Sequence, residues 1–218
     1  NNYRLNYSNG AQVKKEDGSL EAATKALDNT KSALYINGSG GSGSDVIINT
    51  KAGTVAGGGG KDKIFNFAEG ATINSGDGDT FVYSVGLGAG GSLTTGAGDN
   101  NIKIISAMSG GNITTGAGDN NITLSGNMTG GTITLGAGKN QIDAAGYTLT
   151  GVNINDTAST ELSSITAKSL GTSTVKLLGQ ETSVNISTVD AGNNLEFGAG
   201  ENSLIADTVK TGTTIKGA

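Results

Sequence analysis

The chain has no histidine, no cysteine, no proline and no tryptophan in its 218 residues. Without histidine or cysteine, Ser-His-Asp and Cys-His nucleophile systems, thiol chemistry and most transition-metal sites are excluded. No apolar run approaches the roughly 20 residues that cross a bilayer as a helix, so membrane insertion is not expected. Basic residues number 14 against 19 acidic ones, a net charge of −5 with no basic cluster, and that balance argues against nucleic acid. No signal sequence opens the chain at Asn1, which points to a processed fragment or to export through a signal lying outside it. Aromatic residues are only 4%, which suits a thin core filled by Ile, Val and Leu. The missing proline fits a stack of parallel strands, where every rung lies between two others and each lost N–H would leave a ladder hydrogen bond unmade.

What is present is glycine, 38 residues of it, and the glycines are phased. Gly-Ala-Gly-Asp-Asn-Asn-Ile occurs at Gly96 to Ile102, recurs 20 residues later at Gly116 to Ile122, and drifts to Gly-Ala-Gly-Lys-Asn-Gln-Ile at Gly136 to Ile142. Related turns begin at Gly41, Gly58 and Gly76 upstream, and Gly-Ala-Gly-Glu-Asn-Ser-Leu returns at Gly198. A period of this size marks a solenoid, in which one coil cannot bury its apolar side alone and must stack on its neighbours. Between Asp156 and Gln180 the turn consensus is lost, but apolar beats continue at Val152 and Ile154, Leu162 and Ile165, Val175 and Leu177, Val184 and Ile186, Leu195 and Phe197.

Each coil divides into two short strands and two turns. One strand follows the glycine turn, with Ile102 and Ile104, or Ile122 and Leu124, alternating inward. The other precedes it around Leu93, Ile113 and Ile133, leaving Thr94, Thr114 and Thr134 as an outward row. The expectation is an all-β parallel solenoid, a flattened β-roll of about nine coils over residues 33–218. Residues 1–32 lack the repeat and hold the only arginine, Arg4; Ser19 to Asp28, with a Ser19 N-cap and Leu20, Ala23 and Leu27 on one face, reads as a helix in an N-terminal capping segment.

Gly40-Gly-Ser-Gly-Ser-Asp-Val-Ile-Ile48 and Gly57-Gly-Gly-Gly-Lys-Asp-Lys-Ile-Phe65 each fit G-G-x-G-x-D-x-U-x, and here the chain resembles the RTX (hemolysin-type) calcium-binding repeat proteins. The resemblance implies a parallel β-roll, secreted by a Gram-negative cell, that folds around calcium held between adjacent turns. It assigns the metal to the N-terminal turns alone, with Gly41, Gly43, Asp45, Gly58, Gly60 and Asp62 as its residues. The third turn places Thr80 at the aspartate position, and later turns place Asn100, Asn120, Asn140 and Asn202 there. Neutral amides bind a hard cation weakly, so those turns are expected to be scaffold, with the amides stacked in a ladder. The chain departs from the family in showing nonapeptides on one edge only.

Asp99 and Asp119 lie one coil apart, a spacing that any repeated acidic residue produces in a solenoid, and they are not read as a catalytic pair. The function expected is that of a non-enzymatic extracellular structural protein: a surface-layer, filament or adhesin segment that self-associates or abuts a neighbouring domain. The alternative is an accessory repeat module of a larger secreted protein, binding polysaccharide or aiding secretion.

Overall fold

The computed structural model describes residues 34–218, together with the backbone of three short strands, Leu5–Tyr7, Gln12–Lys14 and Leu20–Ala22. Residues 34–218 form a parallel β-solenoid of about nine turns. Its first sheet runs in chain order from Leu34–Ile36 through Val46–Asn49, Lys63–Asn66, Phe81–Ser84, Asn101–Ile104 and Asn120–Leu124 to Asn140–Thr150, Leu162–Gly171, Glu181–Val189 and Glu201–Ile205. The second, of nine strands, runs from Thr54–Ala56 to Thr214–Lys216. Every pairing within the two sheets is parallel and joins one coil to the next, and the absence of proline leaves these ladders uninterrupted.

The repeat sets the register. Ile102, Ile122 and Ile142 are direct partners in one inward row, which extends back through Val82 and Ile64 to Ile47 and forward through Ile165 to Val184. On the opposing sheet Val55, Ile73, Leu93, Ile113, Ile133, Ile154, Val175 and Leu195 form the matching row. Both rows are fully buried, and at ordinary strand spacing each rung adds about 4.8 Å to the axis. Burial of each such side chain contributes about 1.5–3 kcal/mol, so the apolar drive is spread evenly along the stack.

The coils are not uniform. In the N-terminal rungs the first-sheet strand buries one apolar residue, Ile47 or Ile64, and the next inward position is Asn49, Asn66 or Ser84. These polar groups bond along the axis, Asn49 Nδ2 to Asn66 Oδ1 at 2.7 Å and Asn66 Nδ2 to Ser84 Oγ at 2.9 Å. From Ile104 onward that column is apolar. A third ladder also appears there, pairing Met108 with Met128 and then Leu149, Leu170, Val189 and Val209. The coil thus gains a third side where the sequence pattern marks two, and the strands Asn140–Thr150 and Leu162–Gly171 turn its corner with a register shift between Ala144 and Thr148.

Two expectations change. Leu162 is not an inward beat; it is 38% exposed, while Ile165 holds the inward row. The helix expected from Ser19 is not present at Leu20–Ala22, which are a strand paired antiparallel with Gln12–Lys14. Ser19 itself, the rest of that segment through Asp28, and Arg4 lie outside the described residues. Leu5–Tyr7 pairs in parallel with Leu34–Ile36 and so adds a rung to the first sheet.

Candidate metal centre

The glycine turns stack on one edge of the roll, and their glycines answer two different needs. Gly58 has φ +98°, and a side chain there would also come 1.8 Å from the Gly41 carbonyl oxygen in the rung below. Gly57 is outside the left-handed region, so its need is space: an added Cβ would lie 2.2 Å from the Ser75 carbonyl oxygen and 2.7 Å from Asp62 Oδ2. Gly40 has the same relation to Asp45, at 2.6 Å from Oδ2. Ser75, Thr95 and Thr115 occupy the corresponding place on the following rungs, joined by the same backbone hydrogen bonds. The first glycine of the nonapeptide therefore belongs with the aspartate, a pairing that sequence reading passed over.

The six residues of the sequence motif come together. Gly59 N–H donates to the Gly41 carbonyl at 2.7 Å, and Gly60 stacks directly over Gly43. Asp45 and Asp62 are each 1% exposed. Gly41 N–H donates to Asp45 Oδ2 at 2.8 Å, and Asp45 N–H donates to Asp62 Oδ1 at 2.8 Å. Asp62 Oδ2 is buried and has no hydrogen-bond partner. Burial pushes the Asp62 carboxyl up to about 6; the hydrogen bond from Asp45 N–H opposes the rise and the Asp45 charge adds to it. Buried Tyr35, which no motif places here, also titrates above its usual value, first from burial and then from the charges of Asp45 and Asp62.

The asparagine turns follow the same path with the opposite polarity at one atom. Asn100 Oδ1 accepts from Thr80 N–H at 3.1 Å, just as Asp62 Oδ1 accepts from Asp45 N–H. Its other terminal atom is a nitrogen, which donates to the Gly98 carbonyl at 2.8 Å and to Asn120 Oδ1 at 2.9 Å, with a longer bond to the Gly96 carbonyl at 3.4 Å. Asn120 repeats this on Gly118, Gly116 and Asn140, and Asn140 on Gly136, Gly138 and Ser159 Oγ. Ser159 continues the row where the glycine turn is lost, and no sequence spacing announced it. Asn202 makes the same two carbonyl bonds at the last glycine turn, to Gly198 and Gly200 at 2.7 and 2.8 Å.

Outside this column, Asp79, Asp99 and Asp119 form an exposed row. Each accepts the N–H of the next rung at its own column, Asp99 to Asp79, Asp119 to Asp99 and Lys139 to Asp119, at 2.8–3.0 Å. Lys61 closes the N-terminal end on Asp79 at 2.8 Å and, by that hydrogen bond first, holds the Asp79 carboxyl below its usual range. These carboxylates are amide caps between rungs, each with its own structural partner.

Among the described residues no group of three or more acidic, histidine or cysteine side chains gathers as a metal site. A cation on this edge must be held by one or two carboxylates and by backbone carbonyls. The residues at Asp62 fit such an ion: hard oxygen donors, glycine loops without side chains, and one buried carboxylate oxygen left without a donor. Compared with protein-family models, with curated proteins and with solved structures, the chain matches none. The functional reading therefore rests on the residues and their geometry.

Proposed function

We propose that this chain is part of a non-enzymatic extracellular protein of a bacterial surface, a layer, filament or adhesin segment in which the solenoid is a stiff spacer. The unbroken register of the two inward rows, from Ile47 to Val184 and from Val55 to Leu195, carries this reading. Such a stack resists bending because every rung is hydrogen-bonded on both sides, and its length follows from the rung count. The RTX resemblance supplies the cation: calcium at the Asp45 and Asp62 turns, with Gly41, Gly43, Gly58 and Gly60 contributing loop carbonyls. Val209 and Ile215 continue the inward columns at 46% and 47% exposure, an apolar rung that further coils, a following domain or a second copy would cover. A second copy or a following domain that pairs with this edge gains main-chain hydrogen bonds and buries those side chains.

Electron microscopy and sedimentation of the 218-residue chain, with calcium and with chelator, test the proposal. Filaments, sheets or concentration-dependent assembly that disappears when residues 208–218 are removed is the expected result. A chain that stays monomeric at high concentration in both conditions counts against it.

One observation favours the accessory-module reading. Phe65, Phe81 and Tyr83 point outward from the first sheet with ring centroids 6.2 Å apart, and Phe67 beside them is 49% exposed. Aromatic rings flanked by the amides of Asn101 and Asn121 suit the mixed apolar and hydroxyl surface of a polysaccharide. Retention on an insoluble polysaccharide that is lost in Phe67→Ala would move this reading ahead.

A further inference from the structure

Asp62 and the asparagines meet the same backbone in the same register, which allows an atom-by-atom comparison. Oδ1 of Asp62 and of Asn100 accepts a backbone N–H from the preceding rung, and Oδ1 of Asn120 and Asn140 accepts the side-chain amide of the preceding asparagine. The second atom of Asn120, its nitrogen, meets the carbonyls two and four residues upstream, Gly118 and Gly116; the residues at those places before Asp62 are Gly60 and Gly58. Around Asn120 every neighbour of that atom is an acceptor: two carbonyl oxygens at 2.8 and 3.1 Å and Asn140 Oδ1 at 3.0 Å. A donor nitrogen satisfies all three. An ionised carboxylate only accepts, and Asp62 Oδ2 at the equivalent place has no donor. A cation beside Asp62 Oδ2 would supply the positive group that the amide nitrogen already supplies at Asn100, Asn120 and Asn140.

We propose that the side-chain amide nitrogens of Asn100, Asn120 and Asn140 stand in for a bound cation, making the rungs from Asn100 onward cation-independent and confining cation dependence to the rungs before Thr80. The inference rests on the calcium reading of the Asp62 turn and adds a regulatory boundary to it. Solenoid rungs are stabilised by their own interactions and by their neighbours, so an N-terminal segment that needs a cation sits on a core that folds without one. Loss of calcium then frays the chain from Leu34 toward Thr80 and stops at the first amide clamp. In a medium where calcium varies, Phe65 and Phe67 are carried by the dependent rungs, and release of those rungs uncovers the strand with Phe81 and Tyr83 that pairs directly with them.

A reciprocal exchange tests this. Asp62→Asn and Asn120→Asp are compared with the parent by terbium luminescence and calcium titration for ion count, and by thermal unfolding with calcium and with chelator. The expected result is that Asp62→Asn loses an ion, melts above the parent in chelator and no longer responds to calcium. Asn120→Asp gains an ion, binding in the range of about 10⁻⁴–10⁻³ M that extracellular sites show. In chelator it melts at least about 5 °C below the parent, and calcium restores most of the loss. Asn120→Ala is the control, destabilised equally in both conditions.

If Asn120→Asp binds no added ion while the parent binds calcium through Asp62, the exchange of amide for cation is wrong and the calcium reading survives. If the parent ignores calcium while Asn120→Asp acquires a response, the exchange holds and the calcium reading of Asp62 falls. If neither responds, both fall. Should Asn120→Asp not fold, Asn202→Asp reads the same exchange at an exposed turn with the same two carbonyl acceptors, Gly198 and Gly200.

Discussion

The rungs at Asp45 and Asp62 and the rungs at Asn100, Asn120 and Asn140 trace one backbone and differ in what completes it. The first pair holds buried carboxylates on backbone N–H groups and leaves Asp62 Oδ2 bare; the second turns an amide nitrogen onto the glycine carbonyls. Core depth changes together with turn chemistry. Ile47 and Ile64 are flanked along their strands by buried Asn49 and Asn66, whereas Ile102 is followed by buried Ile104, and the Met108 and Met128 ladder adds a third apolar column. Less apolar burial and an uncompensated charge fall on the same rungs. Stability in a stack of similar coils is thus graded along the axis by what fills two positions per coil.

The largest effect should come from the deep region. Ile122→Asp buries an unpaired charge between two rungs and is expected to cost about 4 kcal/mol or more, measured by denaturant unfolding, with no recovery in calcium. A mild loss would mean that Ile122 is not enclosed by its neighbours. Next, Asp45→Ala combined with Asp62→Ala should remove calcium binding and with it about 2.7 kcal/mol of stabilisation at a calcium concentration 100 times Kd. A double variant that titrates with the parent's affinity and ion count would eliminate the site.

The third prediction concerns pH. The Asp62 carboxyl titrates near 6 in the folded chain and at its ordinary lower value when unfolded, so the folded state holds that proton more tightly. Lowering the pH through 6 toward 4 therefore stabilises the metal-free fold, and raising it above 6 withdraws that stabilisation. The chelated chain is expected to unfold at a higher temperature at pH 5 than at pH 7.5, by roughly 1–3 kcal/mol in stability, and Asp62→Asn should abolish the difference. An unchanged slope in Asp62→Asn would assign the effect to another group. Smallest of all is the exposed row: Asp79→Ala removes the ion pair with Lys61, which lies in water, and the cap on the Asp99 N–H, and thermal unfolding in moderate salt should register only a small loss.

Much of the fold could be read from residues alone because a solenoid writes its register into its repeat. Three isoleucines spaced by the period became three partners in one row. The sequence also marked the turn column at Asp45, Asp62, Thr80 and Asn100. What it hid has physical causes. Ser159 takes up the asparagine row across a stretch without glycine spacing, and Leu162 faces out because it lies three positions before inward Ile165 on an alternating strand. The third ladder begins as two-residue strands, too short for any alternation to show. At Leu20–Ala22 a helical spacing of apolar residues coexists with a strand, since hairpin pairing overrides a weak local preference. The outward aromatic group was legible in principle: Phe65 and Phe67 alternate with Ile64 and Asn66, and inward placement of the latter two sends the phenylalanines out.

The parallel pairing of each coil with only the one before and the one after has a mechanical consequence. A pull along the axis on the two ends of the solenoid loads the rungs in series, and the weakest terminal rung gives way without disturbing those behind it. Each 20-residue coil released at the repeat's own spacing pays out on the order of 65 Å of extended chain while shortening the stack by about 4.8 Å. A molecule of this design is rigid under small loads and, beyond a threshold, a ratcheted reserve of length. In single-molecule stretching the asparagine rungs are expected to yield later than the aspartate rungs, in steps of nearly equal size.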